Sequence, residues 1–145
     1  MCATNFNCKS LANIYIPENV RNIGSTLFWG CNNLKSIVVS PNNNYYDSRN
    51  NCNAIIETKM NKLASACSTT VIPNSIDEIG DFAFAVEGID SVFVPYGVKA
   101  IDSDAFSSRK IHVISIPETI KEIDLDSFMR CPNLEKLYMG HLPPP

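Results

Sequence analysis

The sequence predicts a β-rich α/β solenoid, a right-handed coil of stacked units with a parallel sheet, short helical turns and one inserted β-hairpin. Three spacings predict it. Pro73, Pro95 and Pro117, each preceded by Ile or Val, stand 22 residues apart, and Pro17 precedes Pro73 by 56. Phe28, Phe84, Phe106 and Phe128 follow the same series of 56, 22 and 22, with Phe6 another 22 before Phe28. An apolar triplet of the form L-x-x-L-x-L recurs at Leu11-Ile14-Ile16, Leu34-Ile37-Val39, Ile89-Val92-Val94, Ile111-Ile114-Ile116 and Leu134-Leu137-Met139, with a weaker copy at Cys67-Thr70-Ile72. A fixed period of this length is the mark of a repeat architecture. It gives about five to six coils of 22–23 residues in one domain, 1–145.

Each part of the unit has a physical role. The last two apolar residues of L-x-x-L-x-L lie two apart, so they point to one side of a strand. Proline then ends the strand, because it cannot donate to a ladder. Val20/Ile23, Ile76/Ile79, Val98/Ile101 and Ile120/Ile123 follow and bring two more apolar side chains inward. The pairs Leu27-Phe28, Ala83-Phe84, Ala105-Phe106 and Ser127-Phe128 turn the chain back towards the next strand. A single coil cannot bury its own apolar face, so like residues must stack on like.

The period also explains the cysteines. Cys31 and Cys131 fall three residues after the unit's phenylalanine, and Cys8 falls two after Phe6. They read as small buried plugs, and a disulfide between neighbouring coils, such as Cys8 with Cys31, is allowed without being demanded. Six cysteines without a CxxC, beside His112 and His141 only, do not read as a zinc site or a disulfide scaffold.

One interval breaks the rule. Leu34 to Cys67 spans 33 residues, which leaves an insertion within 41–66. Ala54-Ile55-Ile56 and Leu63-Ala64-Ser65-Ala66 flank the polar Thr58-Lys59-Met60-Asn61 and predict a hairpin. Its other reading is a projecting contact patch formed by Tyr45, Tyr46 and Arg49.

Composition narrows the function. The 145 residues are 45% hydrophobic and 19% charged with a net charge of −3, which argues against nucleic acid as the partner. No apolar run reaches the roughly 20 residues needed to span a bilayer. The opening "MCATNFNCKS" lacks a secretory signal's pattern, so an export signal would lie outside this sequence. No nucleophile is fixed near His112 by spacing, and the glycines are scattered singly, so catalysis is not expected and no cofactor is implied. Asp102, Asp104, Asp124 and Asp126 fall side by side on adjacent coils. They could hold Ca²⁺, although capping of short turns is the favoured role.

The outward positions of the main sheet are the candidate site. The fifth position of each triplet reads Tyr15, Val38, Val71, Phe93, Ser115 and Tyr138. At about 4.8 Å per strand these form a column rich in aromatic and β-branched members. Tyr15, Val38, Val71, Phe93 and Tyr138 are therefore the expected partner-binding residues. Simple cross-strand support of the sheet is the competing role.

"LANIYIPENVRNIGSTLFWGCNNL" and "IHVISIPETIKEIDLDSFMRCPNL" resemble the BspA-like leucine-rich repeat family, whose unit runs roughly L-x-x-I-x-I-P-x-x-V-x-x-I-G-x-x-A-F-x-x-C-x-x-L. The resemblance runs from about Phe6 to Met139. Asp102 and Asp124 depart from it where Gly24 and Gly80 conform, and Glu87 and Arg109 stand near the place of the missing cysteines. It implies a curved leucine-rich repeat solenoid from a secreted or surface-anchored bacterial protein that engages host or matrix proteins. The expected function is thus non-catalytic protein binding or adhesion, with a structural spacer as the alternative. Neither Phe6 nor "HLPPP" reads as a cap, which predicts a fragment of a longer chain or self-association through the ends.

Overall fold

The computed structural model describes residues 8–140. Cys2, Phe6 and His141 lie outside the described residues. The elements are β1 (Asn13–Ile16), β2 (Ser36–Val39), β3 (Tyr46–Asp47), β4 (Ala54–Glu57), β5 (Lys62–Ala66), β6 (Glu78–Ile79), β7 (Ser91–Phe93), β8 (Ala100–Ile101), β9 (Val113–Ile116), β10 (Glu122–Ile123) and β11 (Lys136–Met139). A 3₁₀ turn covers Arg49–Asn51.

The repeat unit folds as its apolar pattern requires. Strands from the L-x-x-L-x-L triplets pair in parallel and in register, with Ile14 against Ile37, and Val92, Ile114 and Leu137 in line. The V-x-x-I segments make a second parallel layer, where Ile79, Ile101 and Ile123 align in β6, β8 and β10. Between the layers Phe84, Phe106 and Phe128 form a single file, with centroids 5.7 Å and 5.6 Å apart. Phe106 is wholly buried there.

The expected short helical turns are isolated turns that do not lengthen into helices. Trp29 N–H donates to Thr26 and Cys31 N–H to Phe28, each a single i→i+3 bond. The next donors are taken by the neighbouring coil, as when Phe106 N–H bonds Ser127 at 3.3 Å. A helix therefore has no run of donors to propagate on.

The main sheet is in two pieces: β1–β2 and β7–β9–β11. The weak copy, Cys67-Thr70-Ile72, forms no strand. Its polar side chains take the carbonyls instead: the Thr70 hydroxyl accepts from Cys67 N–H at 2.8 Å and donates to Asn53, and the Thr69 hydroxyl donates to Lys35. Val71 N–H goes to Cys52 in the insertion. Side-chain oxygens here outcompete the ladder.

The predicted hairpin is present as β4–β5, with its turn at residues 58–61. It is an integral part of the coil. β5 pairs in parallel with β6, placing Leu63 opposite Ile79. Ala66 N–H donates to Ala83 at 2.8 Å, repeating the bond from Phe84 to Ala105. Ala66 thus stands where other coils carry the stacked phenylalanine. Lys62 bridges Glu78 at 2.5 Å and Asp102 at 2.6 Å, tying the hairpin to two successive coils.

This packing explains one departure in the sequence. A Cβ at Gly80 would stand 2.9 Å from the Leu63 carbonyl oxygen, so glycine is required where the hairpin approaches. Asp102 and Asp124, one and two coils away, donate their N–H groups to Ile79 and Ile101 of the preceding coils, each at 3.0 Å, in the same way as Gly80 to Leu63. Cys31 and Cys131 are buried plugs as expected, and no disulfide joins the described cysteines. Burial pushes both thiols above the ordinary thiol pKa, and the thiol of Cys31 lies against Cys8.

Candidate interaction surface

The outward column is assembled only in part. Tyr15 lies opposite Val38 in β1–β2, and Phe93, Ser115 and Tyr138 align across β7, β9 and β11. Tyr15 is 62% exposed, Val38 45% and Phe93 53%. Tyr138 is half-buried, and Ser115 is covered between its two aromatic neighbours. Val71 is 72% exposed but belongs to no strand, so it interrupts the column. Beside it a cleft of about 270 Å³ separates the Ser68–Ile72 segment from β7, with Phe93 and Ile89 on its wall.

Tyr96, 48% exposed, lies just after Pro95 and outside the fifth positions of the triplets. Its counterparts after Pro17, Pro73 and Pro117 are Glu18, Asn74 and Glu118, so an aromatic here breaks a polar pattern.

The insertion does not project as an aromatic patch. Tyr46 is buried; its hydroxyl accepts from Ile23 N–H at 3.0 Å and donates to Arg21. Asn43 fixes this return, since its Oδ1 accepts from the N–H groups of Tyr45 and Tyr46 while its amide donates to Pro17 and Val20. Arg49 forks onto Asp47 and reaches Asn61. Although burial alone would raise the Asp47 carboxyl, hydrogen bonds from Arg49 and Thr58 hold it below the usual range. Only Tyr45 stays open, with Arg21 over its ring at 5.9 Å.

Three of the four aspartate carboxylates are individually engaged. Asp102 bonds Lys62, Asp104 accepts from the Ser107 hydroxyl and pairs with Arg130 at 3.4 Å, and Asp124 caps the N–H of Asp126 at 2.9 Å. No group of three or more metal-ligating side chains is gathered among the described residues. His112 lies between Glu135 at 3.2 Å and Asp90 at 3.9 Å, while the Ser91 hydroxyl donates to Asp90 and not to the imidazole. No helix among the described residues is long and apolar enough to cross a membrane.

Comparison with known proteins places this architecture. The BspA type leucine rich repeat region, in six copies, matches residues 3–70 and 55–141. A leucine-rich repeat protein from Eubacterium ventriosum is similar in structure at 22% identity, over 88% of this chain and 36% of that one, with a TM-score of 0.70. The pneumococcal vaccine antigen PcpA is similar at 18% identity, over 90% of this chain and 39% of its own, with a TM-score of 0.63. The chain spans less than half the length of either structure. No curated protein matches it. With stacked coils, in-register parallel strands and six matched repeats in one molecule, the chain belongs to the BspA-type leucine-rich repeat family.

Proposed function

We propose that this chain is a non-catalytic protein-binding module, carried at a bacterial cell surface or on a secreted protein. Its docking face is the outward side of the main sheet. The observation that carries this reading is the exposure of Tyr15, Val38, Val71, Phe93 and Tyr96 on a scaffold where most large apolar residues are buried. Exposed aromatic residues grouped on one face commonly anchor protein interfaces. The family and the likeness to a pneumococcal antigen support a location facing the outside of a bacterium.

A spacer role would favour Lys, Glu, Ser and Thr at these positions, and three aromatic side chains favour binding. The test is a pull-down of host and matrix proteins with wild type and with a Tyr15→Ser, Phe93→Ser, Tyr138→Ser triple variant. Selective capture that is lost in the variant supports the docking face. Capture of equal strength by both proteins rules it out.

A further inference from the structure

The insertion coil is short on its return side. Leu63 is the register partner of Ile79, yet the chain reaches Cys67 four residues later, whereas Ile79 to Ile89 takes ten. The missing residues are those that form the F-x-x-C turn in other coils. The turns on either side consequently meet across an open notch. Trp29, from the coil before the insertion, packs against Phe82, from the coil after it, at 5.5 Å and 39°. Phe82 sits in the left-handed region with φ 54, where Asp104 stands one coil later. A bulky residue is strained there, and such strain collects at functional sites. The Arg130 guanidinium also lies over the Phe82 ring, 5.8 Å from its centroid.

A groove of about 700 Å³ results, lined by residues of several successive coils. Its charge opposes that of the chain. Lys9, Arg109 and Arg130 line it with Glu87, Arg130 being paired with Asp104, while the whole chain carries −3. Lys9 and Arg109 form no ion pair among the described residues. Trp29 leaves 41% of its surface open. Volume and mixed lining both fit a small-ligand site.

We propose that this groove binds a short acidic oligosaccharide. The indole of Trp29 receives the apolar face of a sugar ring, and Arg109 and Lys9 each take a carboxylate of the oligosaccharide. An extended peptide fits less well. The lining segments contain no strand, and the N–H groups of Trp29, Ala85, Ser107 and Met129 are already donated within the turns. A peptide would find no ladder to join, whereas a uronate sugar brings its own hydroxyls and charge. This site is separate from the sheet face and stands or falls independently of it.

Trp29 is the sole tryptophan, so its fluorescence reports the site directly. Trigalacturonate is titrated at low ionic strength into wild type, Arg109→Ala and Lys9→Ala, with maltotriose and triglutamate as comparisons. Both substituted positions are exposed turns, and circular dichroism checks that each variant folds. The expected result is a saturable response to trigalacturonate alone. It weakens at least about tenfold in Arg109→Ala, the size of one lost charge-assisted contact. It persists in the Tyr15→Ser, Phe93→Ser, Tyr138→Ser variant. No response at millimolar trigalacturonate, or one unchanged by Arg109→Ala and Lys9→Ala, overturns the proposal. An equal response to triglutamate reduces the groove to a general anion patch, and an equal response to maltotriose removes the acidic requirement; either refutes it.

Discussion

The rings of Phe106 and Phe128 lie 5.6 Å apart and only 6° from parallel, although 22 residues separate them in the chain. Phe84 covers the other face of Phe106 at 5.7 Å. Phe106 therefore has ring neighbours on both sides, and Phe128 on one among the described residues. Phe106→Ala is expected to cost about 3–5 kcal/mol, the usual range for a buried phenylalanine. Phe128→Ala loses one stacking contact at a position that is only partly buried, so its cost is smaller. Urea denaturation of both variants checks the order, and equal losses would contradict the file.

That file was legible in the sequence because apolar periodicity is a direct record of which side chains share an interior. Leu11-Ile14-Ile16 became β1 with its neighbours in register, and the hairpin turn fell on Thr58–Asn61. The break at Cys67-Thr70-Ile72 was only hinted at, by a threonine where an aliphatic residue was due. Its hydroxyl captures carbonyls that the ladder needs, a competition decided by three-dimensional neighbours. Tyr46 is a stronger case. Its burial depends on the insertion folding back over Arg21–Ile23, and nothing in its local spacing records that. The groove was hidden because it arises from absent residues. Ala66 directly before Cys67 marks it only once β5 is aligned with β6.

Gly80 and Gly24 occupy the same place in the unit but different surroundings. At Gly80 a Cβ would meet the Leu63 carbonyl at 2.9 Å and Lys62 Cε at 3.0 Å; at Gly24 nothing lies within 4 Å. Gly80→Ala should therefore destabilise by about 1–3 kcal/mol through overpacking against backbone. Gly24→Ala should be neutral or stabilise by up to about 1 kcal/mol, through lower unfolded-state entropy. Thermal melts of the two variants are the measurement. A Gly80→Ala protein as stable as wild type would mean that β5 does not hold its position beside β6.

Asp81 carries a carboxyl pushed above the ordinary range, first by burial and then by Asp104 and Asp102, with Lys62 opposing. Its Oδ1 accepts no hydrogen bond among the described residues. A carboxyl raised in the folded state binds its proton more tightly there, so ionisation works against folding. The penalty is absent below the unfolded value of about 3.9 and grows as pH rises towards the folded value. Asp81→Asn is thus expected to raise Tm at pH 7 and to leave it unchanged near pH 3. A gain of equal size at both values would assign the effect to packing instead of charge.

The hydroxyl of Tyr46 offers the cleanest test of how the insertion is joined to the first coil. It accepts from Ile23 N–H at 3.0 Å and donates to Arg21, while the ring is buried beside Ile55 and Val39 in one core cluster. Tyr46→Phe keeps the ring and strands the Ile23 donor in a half-buried place. Losing one such partner costs about 1–3 kcal/mol. Tyr46→Ala removes the ring as well and costs more, about 3–5 kcal/mol by analogy with other large aromatic residues. Amide hydrogen exchange locates the effect: in Tyr46→Phe the Ile23 amide should lose protection, while amides of β8 and β9 keep theirs. Protection lost evenly along the whole chain would show instead that Tyr46 supports the solenoid globally, because a stack of nearest-neighbour coils should confine a modest local loss to the coils that touch it.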